Sequence, residues 1–353
     1  MRFRACIDSP TTFHRIIQAI EKLQKKCIIK FTPTEMHIIC NSDVNEGGIQ
    51  VWSQIKVPSI FTSYRIQSNA ENVITLSLAS GSLLQALGGI VSAMGGATNG
   101  ISGGGSDDVI MKLAKKNDQA VLTFELTGTT RQGRRKSLNY DVNIEVLKPA
   151  DVKRLTEPLC PEPDVHILLP PLPNLRPPTD HLKQLSQTLV ISASNSGIFE
   201  MGVKTVGVGV QVRWENCVVP KMARDEDGDE SANISKAAEV DPPSGSETEP
   251  ESDAEPGAAR GKARSKGKGK EKALVDEETV QQEKDKDRNR IYSVTVSIKS
   301  FLKFLNSHVV SNATIACICH NHCLILYVYI GDVADAGGVL TFYVPALLDD
   351  GGL

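Results

Sequence analysis

The sequence predicts an α+β fold of two similar halves, each an antiparallel sheet with two helices on one face. Three observations predict it. Met1–Ser42 reads strand, helix, hairpin, and a similar order returns near residue 165. Each candidate helix is apolar on one side, which suits a layer of helices on a layer of sheet. With residues 221–290 set aside, both halves run strand, helix, hairpin, long strand, strand, helix, hairpin, closing strand. That correspondence is one of pattern, with low identity between the halves.

In the first half, Met1–Asp8 alternates like a strand. Ser9-Pro10 then opens a helix, with Ser as a cap and Pro pre-set for the first turn. Phe13, Ile16, Ile17, Ile20, Leu23 and Cys27 share one arc of it, and Arg15, Gln18, Lys22, Lys25 and Lys26 the opposite arc. Cys27–Phe31 and Met36–Cys40 form a hairpin. Ile49–Val57, Ile60–Ile66 and Val73–Ala79 read as strands. A helix follows over Ser80–Met94 on Leu83, Leu84, Leu87, Ile90, Val91 and Met94, weakened by Gly88-Gly89 at about 1 kcal/mol per Gly. After a Gly-rich tip, Val109–Ala114 and Val121–Thr127 form a hairpin, and Ser137–Leu147 closes the half. Residues 1–147 are thus one domain.

Lys148–Asp164 is Pro-rich and aperiodic, an extended connector. The second domain spans 165–348. Val165–Leu169 is a strand, Pro170–Pro178 a turn and Thr179–Gln187 a short helix. Thr188–Ser194 and Ile198–Lys204 pair around Asn195-Ser196-Gly197, and Val206–Cys217 continues as a strand. The insert 221–290 is low-complexity and reads as disordered, since it holds too little apolar area to offset ordering entropy. Ile291–Val296 is a strand and Ser297–His308 a helix. A hairpin over Thr314–Cys319 and Cys323–Ile330 precedes a last strand, Val339–Val344.

The chain has 353 residues, 40% of them hydrophobic, and no apolar run approaches the ~20 needed to span a bilayer. Its start shows strand-like alternation rather than a signal peptide, which reads as an intracellular protein. The net charge of −3 joins unlike parts: Met222–Arg290 holds 19 acidic and 13 basic residues, a net of −6, and the remainder stands at +3. Eight cysteines sit mostly in apolar strand or helix settings, as small core residues do.

Four stretches carry a family resemblance: MRFRA at the start, GGIQVW at 47–52, EPLCPEPDV at 157–165 and VPALL at 344–348. In their order and spacing, and with the duplicated pattern, the chain resembles the DNA sliding clamps, and in detail the Hus-type subunits of the eukaryotic DNA-damage checkpoint clamp. The resemblance covers nearly everything outside the insert; the insert and the Gly-rich tip are longer than such a subunit needs. It implies a DNA clamp fold with sheets outside and helices inside. It implies a nuclear protein that joins two related subunits in a heterotrimer around double-stranded or primed DNA without sequence specificity. An ATP-dependent clamp loader would place that ring, which would then scaffold checkpoint kinase activation and repair proteins. Such a subunit is not an enzyme and needs no cofactor.

The basic arc fits this reading. Arg15, Lys22, Lys25 and Lys26 are point charges suited to phosphate contacts, with Lys183, Lys299 and Lys303 weaker counterparts on other helices. The plain alternative is a solvated outer face. Two strands would be sheet edges open to neighbouring chains, one with Val121, Thr123 and Leu126, the other with Val208, Val210 and Val212. In clamps the corresponding strands join subunits, and partner peptides dock beside the connector.

Cys317, Cys319, His320, His322 and Cys323 suggest zinc, but a short hairpin rarely wraps a tetrahedron, so buried Cys and turn His are the default. Ser246, Thr248 and Ser252 each precede an acid by three residues, a pattern acidophilic kinases accept, and KARSKGKGK reads as a nuclear address, a DNA contact or a solvated linker. A protein-assembly adaptor without DNA is the alternative function. A cleft enzyme lacks convergent titratable residues here.

Overall fold

The computed structural model describes residues 1–41, 48–95, 108–129, 135–205, 207–220, 288–311, 313–331 and 336–347. The expectations placed on 221–287 and on the Gly-rich tip at 96–107 lie outside the described residues.

The first half contains β1 (Arg2–Ile7), α1 (Pro10–Glu21), β2 (Lys26–Phe31), β3 (Glu35–Cys40), β4 (Gln50–Lys56), the single-turn α2 (Val57–Ile60), β5 (Phe61–Gln67), β6 (Ile74–Ala79), α3 (Ser80–Gly95), β7 (Asp108–Lys116), β8 (Gln119–Thr129) and β9 (Arg135–Val146). After α4 (Pro149–Val152) come β10 (Val165–Leu168), α5 (Leu172–Leu182), β11 (Thr188–Ser194), β12 (Phe199–Lys204), β13 (Gly209–Trp214), β14 (Ile291–Ser297), α6 (Ile298–Phe304) with a 3-10 turn at Leu305–Val309, β15 (Thr314–Cys319), β16 (Cys323–Ile330) and β17 (Gly338–Pro345). Helix packs on antiparallel sheet, as expected from the one-sided helices.

The strands form two sheets. One runs β10-β15-β16-β17-β4-β3-β2-β6-β9-β8-β7-β1-β5, the other β13-β12-β11-β14. The larger sheet crosses from one half to the other where β17 pairs antiparallel with β4, from Gly338↔Ile55 to Tyr343↔Gln50. A Cβ at Gly338 would lie 2.6 Å from the Gln54 carbonyl oxygen, so glycine is what lets the two backbones close there.

The helices share one layer. In α1, Phe13, Ile16, Ile17 and Ile20 are fully buried, each worth about 1.5–3 kcal/mol. Pro10 stands in the first turn as expected, but Ser9 makes no side-chain cap bond. The layer is continuous: α1 touches α3 on one side and the turn at Leu305–Val309 of the other half, and that turn meets α5 and α6. Gly88 brings α3 to 3.4 Å from His14 Nε2, measured from the Cβ it lacks. Gly89 is tighter, since a Cβ would meet the Tyr140 hydroxyl at 2.6 Å. The glycines that weaken α3 as an isolated helix thus admit α1 and β9 in the fold.

Two segments differ from expectation. The connector begins with a helical turn, α4, where Pro149 suits the first helical position. The helix expected at Thr179 begins at Leu172 and includes Pro177 and Pro178. Each proline forgoes a helical bond, at a cost near 3 kcal/mol in an isolated helix. Burial of Leu172, Leu175, Thr179 and Leu182 along one face offsets this.

Candidate nucleic-acid interface and assembly edges

Most of the expected basic side chains are exposed on or next to the helices. Arg15 is exposed on α1. Lys22 follows as the C-cap, seven residues on and so near the same helix face, its ammonium 3.2 Å from Glu21 Oε2. On α6, Lys299 and Lys303 are exposed one turn apart. Lys183 caps α5, and Arg176 lies one heptad before it. Arg176 donates to Asn306 Oδ1 at 3.1 Å, which fixes its stem against the turn after α6. Sequence reading passed over Arg176 because the prolines around it masked the helix. α3 carries no basic residue.

Two members of the expected arc lie elsewhere. α1 stops at Glu21, so Lys25 occupies the exposed turn before β2. Lys26 is the first residue of β2. There Cys27, Ile29 and Phe31 are buried beneath the helices, so pleat alternation sends Lys26 to the opposite side of the sheet. The expectation that Lys26 shares the α1 arc is therefore corrected: helical periodicity ended five residues too early to carry it.

The edges also divide. β13 is the outer strand of its sheet, bonded among the described residues to β12 alone. Val210 and Val212 are half-buried on its helix-facing side; Val208 precedes the strand and is 54% exposed. β8, by contrast, lies between β7 and β9, and Val121, Thr123 and Leu126 have partners on both sides and are buried. The expectation of an open edge at Val121, Thr123 and Leu126 is thus wrong. The alternating 109–127 hairpin is present as β7 and β8, but a third strand, β9, pairs along its outer side.

That third strand, β9, is the edge sequence reading missed. Beyond Ile144–Val146, which pair with β6, its side away from β8 has no partner among the described residues. Its place as the closing strand of its half, matching β17, was the available signal. β9 is anchored from behind. Thr123 Oγ1 donates to Asp141 Oδ1 and Lys116 Nζ to Oδ2, both at 2.6 Å. These two bonds, with the Lys116 charge, hold the Asp141 carboxyl below the usual carboxylate range.

The Cys/His hairpin divides into a buried and an exposed part. Cys317, Cys319 and Cys323 are buried, while His320 and His322 are exposed at the turn. Among the described residues no group of three or more His, Cys, Asp or Glu is arranged to hold a metal ion.

A family model described as Hus1-like protein matches residues 1–348. The chain belongs to the Hus1-like family. It is 29% identical over 350 residues to "Checkpoint protein hus1" of Schizosaccharomyces pombe, covering 99% of this chain and all of that protein. It is 28% identical over 245 residues to human "Checkpoint protein HUS1", covering 68% of this chain and 82% of the human one. Among solved structures it is similar to proliferating cellular nuclear antigen of Entamoeba histolytica. The TM-score is 0.59 at 11% identity, with 98% of this chain and 99% of the other covered. That likeness shows the fold, which is the sliding clamp fold. No helix among the described residues of this Hus1-like chain is long and apolar enough to cross a membrane.

Proposed function

We propose that this Hus1-like clamp subunit is one of three related but different subunits that close a ring around DNA in the nucleus. One observation carries the reading. The chain closes one joint within itself, β17 on β4, and among the described residues leaves the matching strands of the other two ends, β9 and β13, open on one side. By the duplicated pattern β9 corresponds to β17 and β13 to β4. Each open strand therefore suits the other kind in a neighbouring subunit, with the antiparallel pairing of the internal joint. Such a contact is head-to-tail, and three subunits of two domains each, 1–147 and 165–348 joined by 148–164, close it into a ring.

The helix layer would then face the duplex. Arg15, Lys22, Lys183, Lys299 and Lys303 are exposed charges on or capping several helices, with Lys25 in the turn before β2 and Arg176 half-exposed on α5. They fit phosphates rather than base edges, so binding would be independent of sequence and would fall steeply with salt. Lys26 is no longer part of this set. The role is scaffolding: an ATP-dependent loader sets the ring on damaged or primed DNA, and checkpoint and repair proteins gather on its outside. The reading assigns the chain no catalysis. The adaptor reading without DNA is not favoured, since it gives no reason for basic side chains on α1, α5 and α6 together.

Reconstitution tests it. The chain is mixed with its two related subunits and offered an ATP-using loader and primed circular DNA. A one-to-one-to-one ring retained on closed circles and lost on linearisation is expected. Lys22→Glu with Lys25→Glu should lower retention about tenfold at moderate salt. Undiminished retention by that variant, or no heterotrimer, would sink the proposal.

A further inference from the structure

Three sulfurs that are remote in sequence meet at the connector. Cys319 and Cys323 face each other across the end of the β15–β16 hairpin. Cys160, in the connector, packs against the same outer-face cluster, which also holds Cys317, Ile325 and Tyr329. Cys160 is thereby brought to the strand ends that carry Cys319 and Cys323. Cys319 Sγ is 3.4 Å from the Pro161 carbonyl oxygen. On either side the connector is tied down: Tyr343 donates to Glu157 Oε1 at 2.7 Å, the His320 N–H to Asp164 Oδ2 at 2.8 Å, and the Asp164 N–H to the Ile318 carbonyl oxygen at 2.9 Å.

The three thiols differ in access and state. Cys319 and Cys323 are buried, and Cys160 is half-exposed. The hydrogen bond from Cys323 lowers the Cys160 pKa below the usual thiol range, against its burial and the nearby Glu157. Cys323, as the shared donor, is raised. Cys217 is also half-exposed, but burial alone acts on it and pushes it up. So one half-exposed sulfur is favoured as thiolate, and a buried thiol lies in the cluster it packs against, the arrangement of a reactive cysteine beside a resolving one.

We infer that Cys160 and Cys323 form a reversible disulfide under hydroperoxide, which fastens the connector to the outer face of the C-terminal sheet. The Cys160 thiolate attacks one peroxide oxygen. The O–O bond breaks, hydroxide leaves and takes up a proton, and Cys160 becomes a sulfenic acid. The Cys323 sulfur then attacks the Cys160 sulfur, and the S–O bond breaks. The departing hydroxyl leaves as water with the Cys323 proton. Two thiols are oxidised and one peroxide is reduced to two waters. A disulfide between Cys319 and Cys323 would only join two strand ends already paired. The Cys160–Cys323 bond ties residues 163 positions apart in sequence and replaces a weak contact by a covalent one.

The test uses the full reduced chain, treated with hydrogen peroxide near stoichiometry, quenched with a maleimide and mapped by non-reducing peptide mass spectrometry. A Cys160–Cys323 linked peptide that dithiothreitol reverses is expected, with Cys217 still alkylated. Hydrogen exchange over 153–163 should slow about tenfold in the oxidised form. In Cys323→Ser, the Cys160 sulfenic acid should persist and react with dimedone. A Cys319–Cys323 link instead, or a Cys160 oxidised no faster than Cys217 in both wild type and Cys323→Ser, would overturn the inference.

Discussion

The joint between the two halves and the two open ends of the chain are built from the same kinds of strand, yet they differ in what completes them. β17 finds β4 in its own chain, and the two backbones close over the missing Cβ of Gly338. β9 beyond its pairing with β6, and β13, each have one side without a partner among the described residues. A protein that left such edges open by neglect would invite aggregation, and edge strands are commonly blunted by charge or proline. Here β9 includes Arg135, Lys136, Asp141 and Glu145, while β13 has a single Arg among its valines, so β9 is the more charged of the two edges. In the proposed ring, a neighbouring subunit would complete each open edge as β4 completes β17.

Breaking the closed joint should have the largest effect. Gly338→Val drives side-chain atoms into the β4 backbone at Gln54 and Ile55, and urea unfolding should show a loss of about 2–3 kcal/mol. Leu126→Asp, on the covered strand β8, should destabilise the isolated chain about as much, because it puts a carboxylate into a fully paired, 1% exposed position. Val212→Asp on β13 sharpens the contrast. The isolated chain should lose under about 1 kcal/mol, while subunit association followed by sedimentation should be abolished. If Leu126→Asp spared folding and stopped assembly, the assignment of edges would be reversed.

The smaller effects concern what holds β9 in place. Gly89→Ala gains helix propensity but meets the Tyr140 ring, so a net loss of about 1 kcal/mol is expected, recovered when Tyr140 is shortened to Ser. Asp141→Asn removes an ionised acceptor from Lys116 and Thr123, at a cost below about 1 kcal/mol near neutral pH. Its pH dependence has a definite sign. The folded carboxyl is depressed, so its contribution is present above the ordinary carboxylate pKa and is lost as pH falls through the lower, folded value. The difference between wild type and Asp141→Asn should vanish in acid, as chemical unfolding at stepped pH would show.

Much of this architecture was legible because it rests on periods. The 3.6-residue period gave α1 its buried Phe13, Ile16, Ile17 and Ile20, and the duplicated order gave the two halves. The period failed where a residue outlived its element: Lys26 fits the α1 arc on a wheel, but the chain had already become strand. Composition misled at α5, where Pro177 and Pro178 read as turn and the packing of Leu175 and Leu182 kept the helix. The Cys160 contact with Cys323 left no local signal at all.

By itself the sequence determined most of the elements, the one-sided helices, most of the basic residues on them and the repeat, since each depends largely on neighbours within a few positions. Only the tertiary structure decided which strands are edges, why Gly89 and Gly338 are glycines and which thiols meet. The physical reason is that strand pairing and close approach join residues far apart in sequence. A strand's own residues specify that it will pair, while the order in the sheet depends on every other strand competing for the same two sides.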